Sequence, residues 1–277
     1  MNSVALARRV VGLAVLFWWL GAAAQLSSHA VPLSPAPASR LARIQASGEL
    51  RACIWPEYQG ITYRNPKSLQ LSGIDIDNAT ELARELGVRP VFVDSSFVRL
   101  TDDLAADRCD IAMFAIGVTP QRQQRLNFSQ PYLASDVYAI TTHSNRRIRS
   151  WADIDVPGSV VAVARGTLHE PLMRARLQHA ALLVLDSGVA REQEVRAGRA
   201  DVFMTDYPYS RRLLDTADWA RLVSSPTPFH LTPYAWAMMP GDPAFLARVD
   251  QVLAGMKRDG RLVTFAKRHG LEAIAVR

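Results

Sequence analysis

Three places in this chain carry groups that could hold a small charged molecule. Arg122 closes the stretch Phe114-Ala-Ile-Gly-Val-Thr-Pro-Gln-Arg122, in which an apolar run empties at Gly117 into a polar turn. A guanidinium presents a planar fork of N–H donors that matches both oxygens of a carboxylate. Gly166-Thr167-Leu168 likewise follows an apolar run, Ser159 to Ala164, and leads into a helical pattern. Backbone N–H groups at the start of a helix offer a second place for an anion. Asp206, after Val202-Phe-Met-Thr205, supplies the opposite charge and suits an ammonium. Trp55, Tyr58 and Phe97 could wall such a site, and Thr119 adds a hydroxyl before Pro120. Each of the two charged residues also has a plainer reading. Arg122 could form a surface ion pair of little energetic weight, and Asp206 could cap a helix opening at Tyr207-Pro208.

The apolar pattern says which elements must position these groups. Leu50–Trp55, Pro90–Val93 and Cys109–Ile116 read as strands, with helical spacing over Ile76–Leu86, closed by Gly87, and over Leu100–Ala106. A second series has strands at Ser159–Ala164, Ala181–Leu185 and Asp201–Met204, and helices at Glu170–Leu177 and Ala190–Arg196. Pro243–Arg258 and Leu262–His269 close the chain as helices. Strand and helix in alternation predict an α/β fold of two open, mostly parallel sheets flanked by helices. Ligands of such sheets bind at the carboxyl ends of the strands, where every residue singled out above falls.

The chain's start predicts its compartment. Arg8 and Arg9 precede the apolar run Val10–Ala24, and small residues follow, so residues 1–30 read as a secretory signal peptide. The run falls short of the about 20 apolar residues of a membrane span. Residues 31–40, rich in proline and serine, read as a linker. The formal charge of +6 falls to +4 without the leader, which holds two arginines and no acids. The arginines are scattered rather than striped with aromatics, which argues against nucleic acid. The histidines and cysteines have no metal-ligand spacing, and no nucleotide loop or G-x-S-x-G motif is present, so neither metal nor cofactor is expected. Cys53 and Cys109 both fall on predicted strands. Export would permit them to pair, but two buried thiols are the expectation, since sequence does not supply the Cα separation a bridge needs.

Ser47-Gly-Glu-Leu-Arg51, Gly73-Ile-Asp-Ile-Asp77, Thr119-Pro-Gln-Arg122, Phe128-Ser-Gln-Pro-Tyr132, Gly166-Thr167, Ala197-Gly-Arg-Ala-Asp201 and Asp259-Gly260 occur in an order and spacing that resemble a known family. It is the extracellular solute-binding family 3, the type II periplasmic receptors of polar amino acid ABC importers. The resemblance runs from about Leu41 to Gly270. It implies two lobes joined by two crossing strands, near Ser135–Ala139 and Thr232–Trp236, closing on a ligand between them. Lobe one would comprise residues 41–136 and 235–277, and lobe two residues 137–234. It further implies a monomer in the periplasm that serves an inner-membrane ABC permease. Arg122 would grip the ligand carboxylate, the Gly166 turn would add N–H donors, Asp206 would take an ammonium, and Tyr58 and Phe97 would form opposite walls.

The chain departs from that pattern at Gly117, where binders commonly carry a hydroxyl, and at Leu168, where they carry a threonine. Tyr58-Gln59-Gly60-Ile61 also replaces a common proline-phenylalanine pair. With Trp55, Leu168 makes the cleft more apolar, so anion binding survives these changes more easily than α-amino acid specificity. A second resemblance is to the exported cyclohexadienyl dehydratases of the same fold, carried by Ala106–Met113 and Ile154–Gly158. On that reading Glu170 would be the acid that protonates the departing hydroxyl of prephenate or arogenate. A glutamate there also stabilises a helix N-terminus in a plain binder.

Overall fold

A computed structural model describes residues 39–277. The expected leader and residues 31–38 of the linker lie outside the described residues. Ser39 and Arg40, read as the linker's end, are instead the N-cap and first residue of the helix Arg40–Ser47, where the Ser39 hydroxyl accepts the Ala42 N–H.

The apolar runs form two sheets. In the first, Arg89–Asp94, Glu49–Ile54 and Ile111–Gly117 run parallel. Thr232–Met238 joins antiparallel beside Ile111–Gly117 and carries Asn127–Phe128 and Leu133–Ser135. In the second, Ala181–Leu185, Val160–Ala164 and Val202–Asp206 are parallel, and Val137–Thr142 and Ala220–Val223 add antiparallel strands. Helices cover both faces of a parallel sheet, which is why all seven residues of Ile111–Gly117 are buried and none is polar. The chain leaves the first sheet at Ser135 and enters the second at Val137. Between them Asp136 accepts the N–H groups of Phe229 at 2.9 Å and His230 at 2.7 Å, so the outgoing and returning segments are tied together. A small sheet of Glu57–Tyr58, Thr62–Arg64 and Leu71–Ser72 lies beside the first.

The acids of the recurring motifs serve the scaffold. Asp75 is fully buried and accepts from Ala115 N at 3.0 Å, Asn78 Nδ2 at 3.1 Å, Trp236 Nε1 at 3.2 Å and the Tyr132 hydroxyl. Burial pushes its pKa up against those four bonds. This carboxylate fixes the middle of the strand Ile111–Gly117, where Ala115 sits at a positive φ of 51°. Asp110 takes Arg51 through Nη2 at 2.7 Å, and Asp107 takes Arg43 at 2.6 Å and Arg40 at 3.1 Å, which pins the N-terminal helix to the sheet. Hydrogen bonding from Arg43, then from Arg51, holds the Asp107 carboxyl down at about 2, against an ordinary 3.8.

The expectation of two buried thiols is corrected. Cys53 and Cys109 form a disulfide, with Cα atoms 5.5 Å apart. Cys109 lies just before the strand Ile111–Gly117 rather than on it, and that strand pairs with Glu49–Ile54, so the sheet itself brings the two side chains together. Both are fully buried.

Two outcomes are expected. Replacing Cys53 and Cys109 together by alanine should remove about 2–4 kcal/mol of unfolding free energy, because the bridge closes a loop of 56 residues in the unfolded chain. Equal urea midpoints for the oxidised protein with and without reductant would count against a bridge. Asp107→Asn should lower stability at neutral pH. A depressed pKa stabilises fully above the unfolded value of 3.8, and that contribution is lost as pH falls through about 2. The gap from wild type in thermal melts should therefore shrink from pH 5 towards pH 2, and a constant gap would exclude the charge as its cause.

Candidate functional site

A small cavity opens at the carboxyl ends of both sheets. From the first lobe come Trp55, Tyr58, Phe97 and Ala115, each just past or within a strand end, and the returning strand contributes Tyr234. The three aromatics pack edge to face or tilted, with ring centroids 5.2–6.3 Å apart, and Phe97 rests on Phe114 at 5.0 Å. From the second lobe come Ala164, Thr167, Leu168, His169, Arg191, Thr205, Asp206 and Tyr209.

Asp206 caps a helix, one of the two tasks considered for it, and also accepts two hydroxyls that sequence reasoning did not foresee. Its Oδ1 accepts the Tyr209 N–H at 3.2 Å as the N-cap of the helix Tyr207–Thr216. Its Oδ2 faces the cavity and accepts the hydroxyls of Tyr58 and, at 2.9 Å, Tyr234. Burial and this carboxylate push both phenols well above their usual range, so they stay protonated donors. The Tyr58 bond runs from one lobe to the other.

Arg122 lies at the edge of the cavity rather than in its lining. Thr119 caps the short helix Pro120–Gln123 by accepting the Arg122 N–H at 3.3 Å. The guanidinium then donates through Nη1 to Gly117 O at 2.9 Å and through Nη2 to Gly166 O at 3.1 Å, and lies 5.5 Å from the Phe97 ring centre. It joins the lobes, and it enters no ion pair among the described residues. Burial pushes its pKa down to about 10, which leaves it charged at neutral pH. Gly117 and Thr119 also lie outside the lining.

The two departures at Gly117 and Leu168 are one packing feature. A Cβ on Gly117 would stand 2.8 Å from Leu168 Cδ2 and 3.2 Å from Thr232 Cγ2. The leucine from one lobe thus occupies the space that a side chain at 117 would take from the other. Gly166 is equally constrained, with φ of 75° and a Cβ position 2.8 Å from Val98 N. The Thr167 hydroxyl turns back to Ala164 O at 2.7 Å, while the Leu168 N–H, preceding the helix His169–Arg176, has no backbone acceptor among the described residues.

Glu170 is directed elsewhere. Its carboxylate accepts the Gly166 N–H at 2.9 Å and pairs with Arg174 at 3.3 Å, and it does not line the cavity. Asp107, Asp110 and Asp155, from the stretches that resemble dehydratases, are likewise bound to arginines or backbone N–H groups far along the scaffold.

Sequence reasoning passed over His169, Arg191, Tyr209 and Tyr234. A signal for Arg191 was present. The buried residues of its helix, Gly188–Arg196, are Gly188, Arg191 and Val195, so the arginine sits at i+3 and i−4 spacing on the inward face.

With this geometry in view, the chain belongs to the bacterial extracellular solute-binding proteins, family 3, whose family model matches residues 50–272. Among curated relatives it is similar to the cyclohexadienyl dehydratase of Pseudomonas aeruginosa, 36% identical over 225 residues, which cover 81% of this chain and 83% of that protein. It is also similar to the L-cystine-binding protein TcyJ of Escherichia coli, 25% identical over 199 residues, 72% of this chain and 74% of that one. Among solved structures, the ancestral amino acid-binding protein AncCDT-1, described as a precursor of cyclohexadienyl dehydratase, superposes with a TM-score of 0.77 at 31% identity. The match covers 83% of this chain and 99% of that one. The fold is therefore the two-lobed type II periplasmic-binding-protein fold, and the family's role is solute binding in amino acid ABC transport.

Gly117→Ser should hinder closure, since overpacking of this kind costs about 1–3 kcal/mol and so weakens ligand binding roughly fivefold to a hundredfold. Adding Leu168→Ala should recover much of the loss, a coupling that a double-mutant cycle by calorimetry would read. Strictly additive effects would separate the two positions.

Proposed function

We propose that the protein captures a small carboxylate-bearing solute, an amino acid or a relative of one, between its closing lobes in the periplasm. It then delivers the solute unchanged, as a monomer, to an inner-membrane ABC permease. The observation that carries this reading is Arg122, a guanidinium at the cleft edge with two donors on backbone carbonyls of opposite lobes and no carboxylate of its own. Its remaining N–H groups are suited to a bidentate bond with a carboxylate, and the Leu168 N–H adds a donor nearby. Trp55, Tyr58 and Phe97 would enclose the ligand's body. Asp206 already accepts from two tyrosines and a helix N–H, so an ammonium must share it, and α-amino recognition is weaker here than carboxylate recognition.

The 36% identity to a cyclohexadienyl dehydratase favours a second reading, turnover of prephenate or arogenate. The geometry favours the first. A dehydratase needs an acid facing the substrate; Glu170 faces the Gly166 turn, and Asp206 is the one carboxylate lining the cavity among the described residues.

A thermal-shift panel of amino acids and aromatic acids should show stabilisation by at least one carboxylate, because a ligand that binds only the folded state raises its melting temperature. Arg122→Ala should weaken that ligand about tenfold to a thousandfold. Wild-type affinity in the folded variant would return Arg122 to a purely structural part. Incubation with prephenate or arogenate should give no phenylpyruvate or phenylalanine above background. Turnover that disappears in Glu170→Gln would install the enzyme instead.

A further inference from the structure

Arg191 is a second cation without an anion. Its side chain is 3% exposed, yet among the described residues it forms no ion pair. Nη1 donates to Met204 O at 2.7 Å and Nη2 to Thr205 Oγ1 at 3.1 Å, while Nε has no partner. The guanidinium lies over the rings of Tyr209 at 4.4 Å and Phe203 at 4.9 Å. A buried charge is costly unless it is paired as well as hydrogen-bonded, and a carbonyl, a hydroxyl and two rings are all neutral. Arg191 nonetheless lines the cavity, from the second lobe.

His169 stands beside it on the same wall. It is 5% exposed, lines the cavity, and neither ring nitrogen has a hydrogen-bond partner. Burial, then the charge of Arg191, pushes its pKa down to about 3, with Arg122 contributing in the same direction. The backbone at Thr205 offsets part of that shift. The imidazole is therefore neutral and has one N–H to give and one nitrogen to accept with. Two buried polar groups on one wall of one cavity thus have room for a partner from outside the chain, an ordered water or a ligand.

We propose that Arg191 and His169 form a second anion subsite, so that the solute is a small molecule with two carboxylates, one held at Arg122 and the other at Arg191. The proposal rests on the carboxylate reading of Arg122. Arg122 and Arg191 bring two positive charges to the site and Asp206 one negative, a net of one positive charge, which an acidic amino acid balances and a plain dicarboxylate exceeds by one. The side chain of a basic amino acid would instead meet Arg191 as a like charge.

Calorimetry on the purified protein tests this with named probes: succinate, glutarate, L-aspartate and L-glutamate, against butyrate, L-2-aminobutyrate and L-arginine. At least one two-carboxylate probe should bind about tenfold to a hundredfold more tightly than its one-carboxylate counterpart, the effect expected of one charge-assisted contact. Arg191→Met should remove that advantage, so that two-carboxylate and one-carboxylate probes bind within about threefold of each other. The ranking of probes by the wild-type protein decides the matter even if Arg191→Met does not fold. Equal or tighter binding of butyrate, L-2-aminobutyrate or L-arginine would overturn the second subsite while leaving a carboxylate binder standing, provided Arg122→Ala still weakens that probe. Binding by none of the probes would overturn the inference as well.

Discussion

The carboxylate of Asp206 is the point on which the closed arrangement turns. It ends the strand Val202–Asp206, caps the helix that follows, and accepts hydroxyls from Tyr58 of the other lobe and Tyr234 of the returning strand. One anion thus ties together both lobes and a crossing segment. Because both phenols are buried and stay protonated, these bonds hold across the neutral range. Arg122 adds a second bridge through Gly117 O and Gly166 O. Tyr58 fixes the aromatic wall through its contacts with Trp55 and Phe97, so the cavity's shape follows from where Asp206 stands. Two thin crossings and a few polar bridges suit lobes that separate and close by a hinge.

The cations are distributed unequally. Arg43, Arg51 and Arg261 lie partly exposed, the first two held by two carboxylates each and Arg261 by three. Such pairs contribute little individually, and the chain supplies them freely at its surface. Arg122 and Arg191, where a missing counter-charge matters most, have backbone carbonyls, a hydroxyl and rings instead.

Much of the scaffold was legible because each lobe repeats a simple physical pattern. The helix before Gly87 ends where expected, at a left-handed glycine, and Ala181–Leu185 and Pro243–Arg258 keep their expected bounds. The charged groups at strand ends were legible for the same reason, as turns there are polar by necessity. What was not legible depends on partners distant in sequence. The Cys53–Cys109 bridge needs the pairing of two particular strands. Gly117 and Leu168, read as separate departures, are complementary only once the lobes meet. Arg191 sits mid-helix and His169 opens one, places where a polar residue is ordinarily solvated; each shares its buried face with an apolar residue four positions on, Val195 and Met173.

The fold hosts both binders and a dehydratase among this chain's relatives. The scaffold is common to both: parallel sheets, a cleft at their carboxyl ends, and arginine at its edge. Catalysis additionally requires a carboxylic acid whose proton points at the leaving group. In this chain every group that meets Asp206 donates to it, the arrangement of an acceptor, and Glu170 is turned to the Gly166 N–H and Arg174 behind the loop. Leu168 stands between that loop and the cavity, an apolar side chain in the lining where a hydroxyl would have passed hydrogen bonds through. The part of the wall that Leu168 forms is therefore hydrocarbon, beside the loop that holds Glu170.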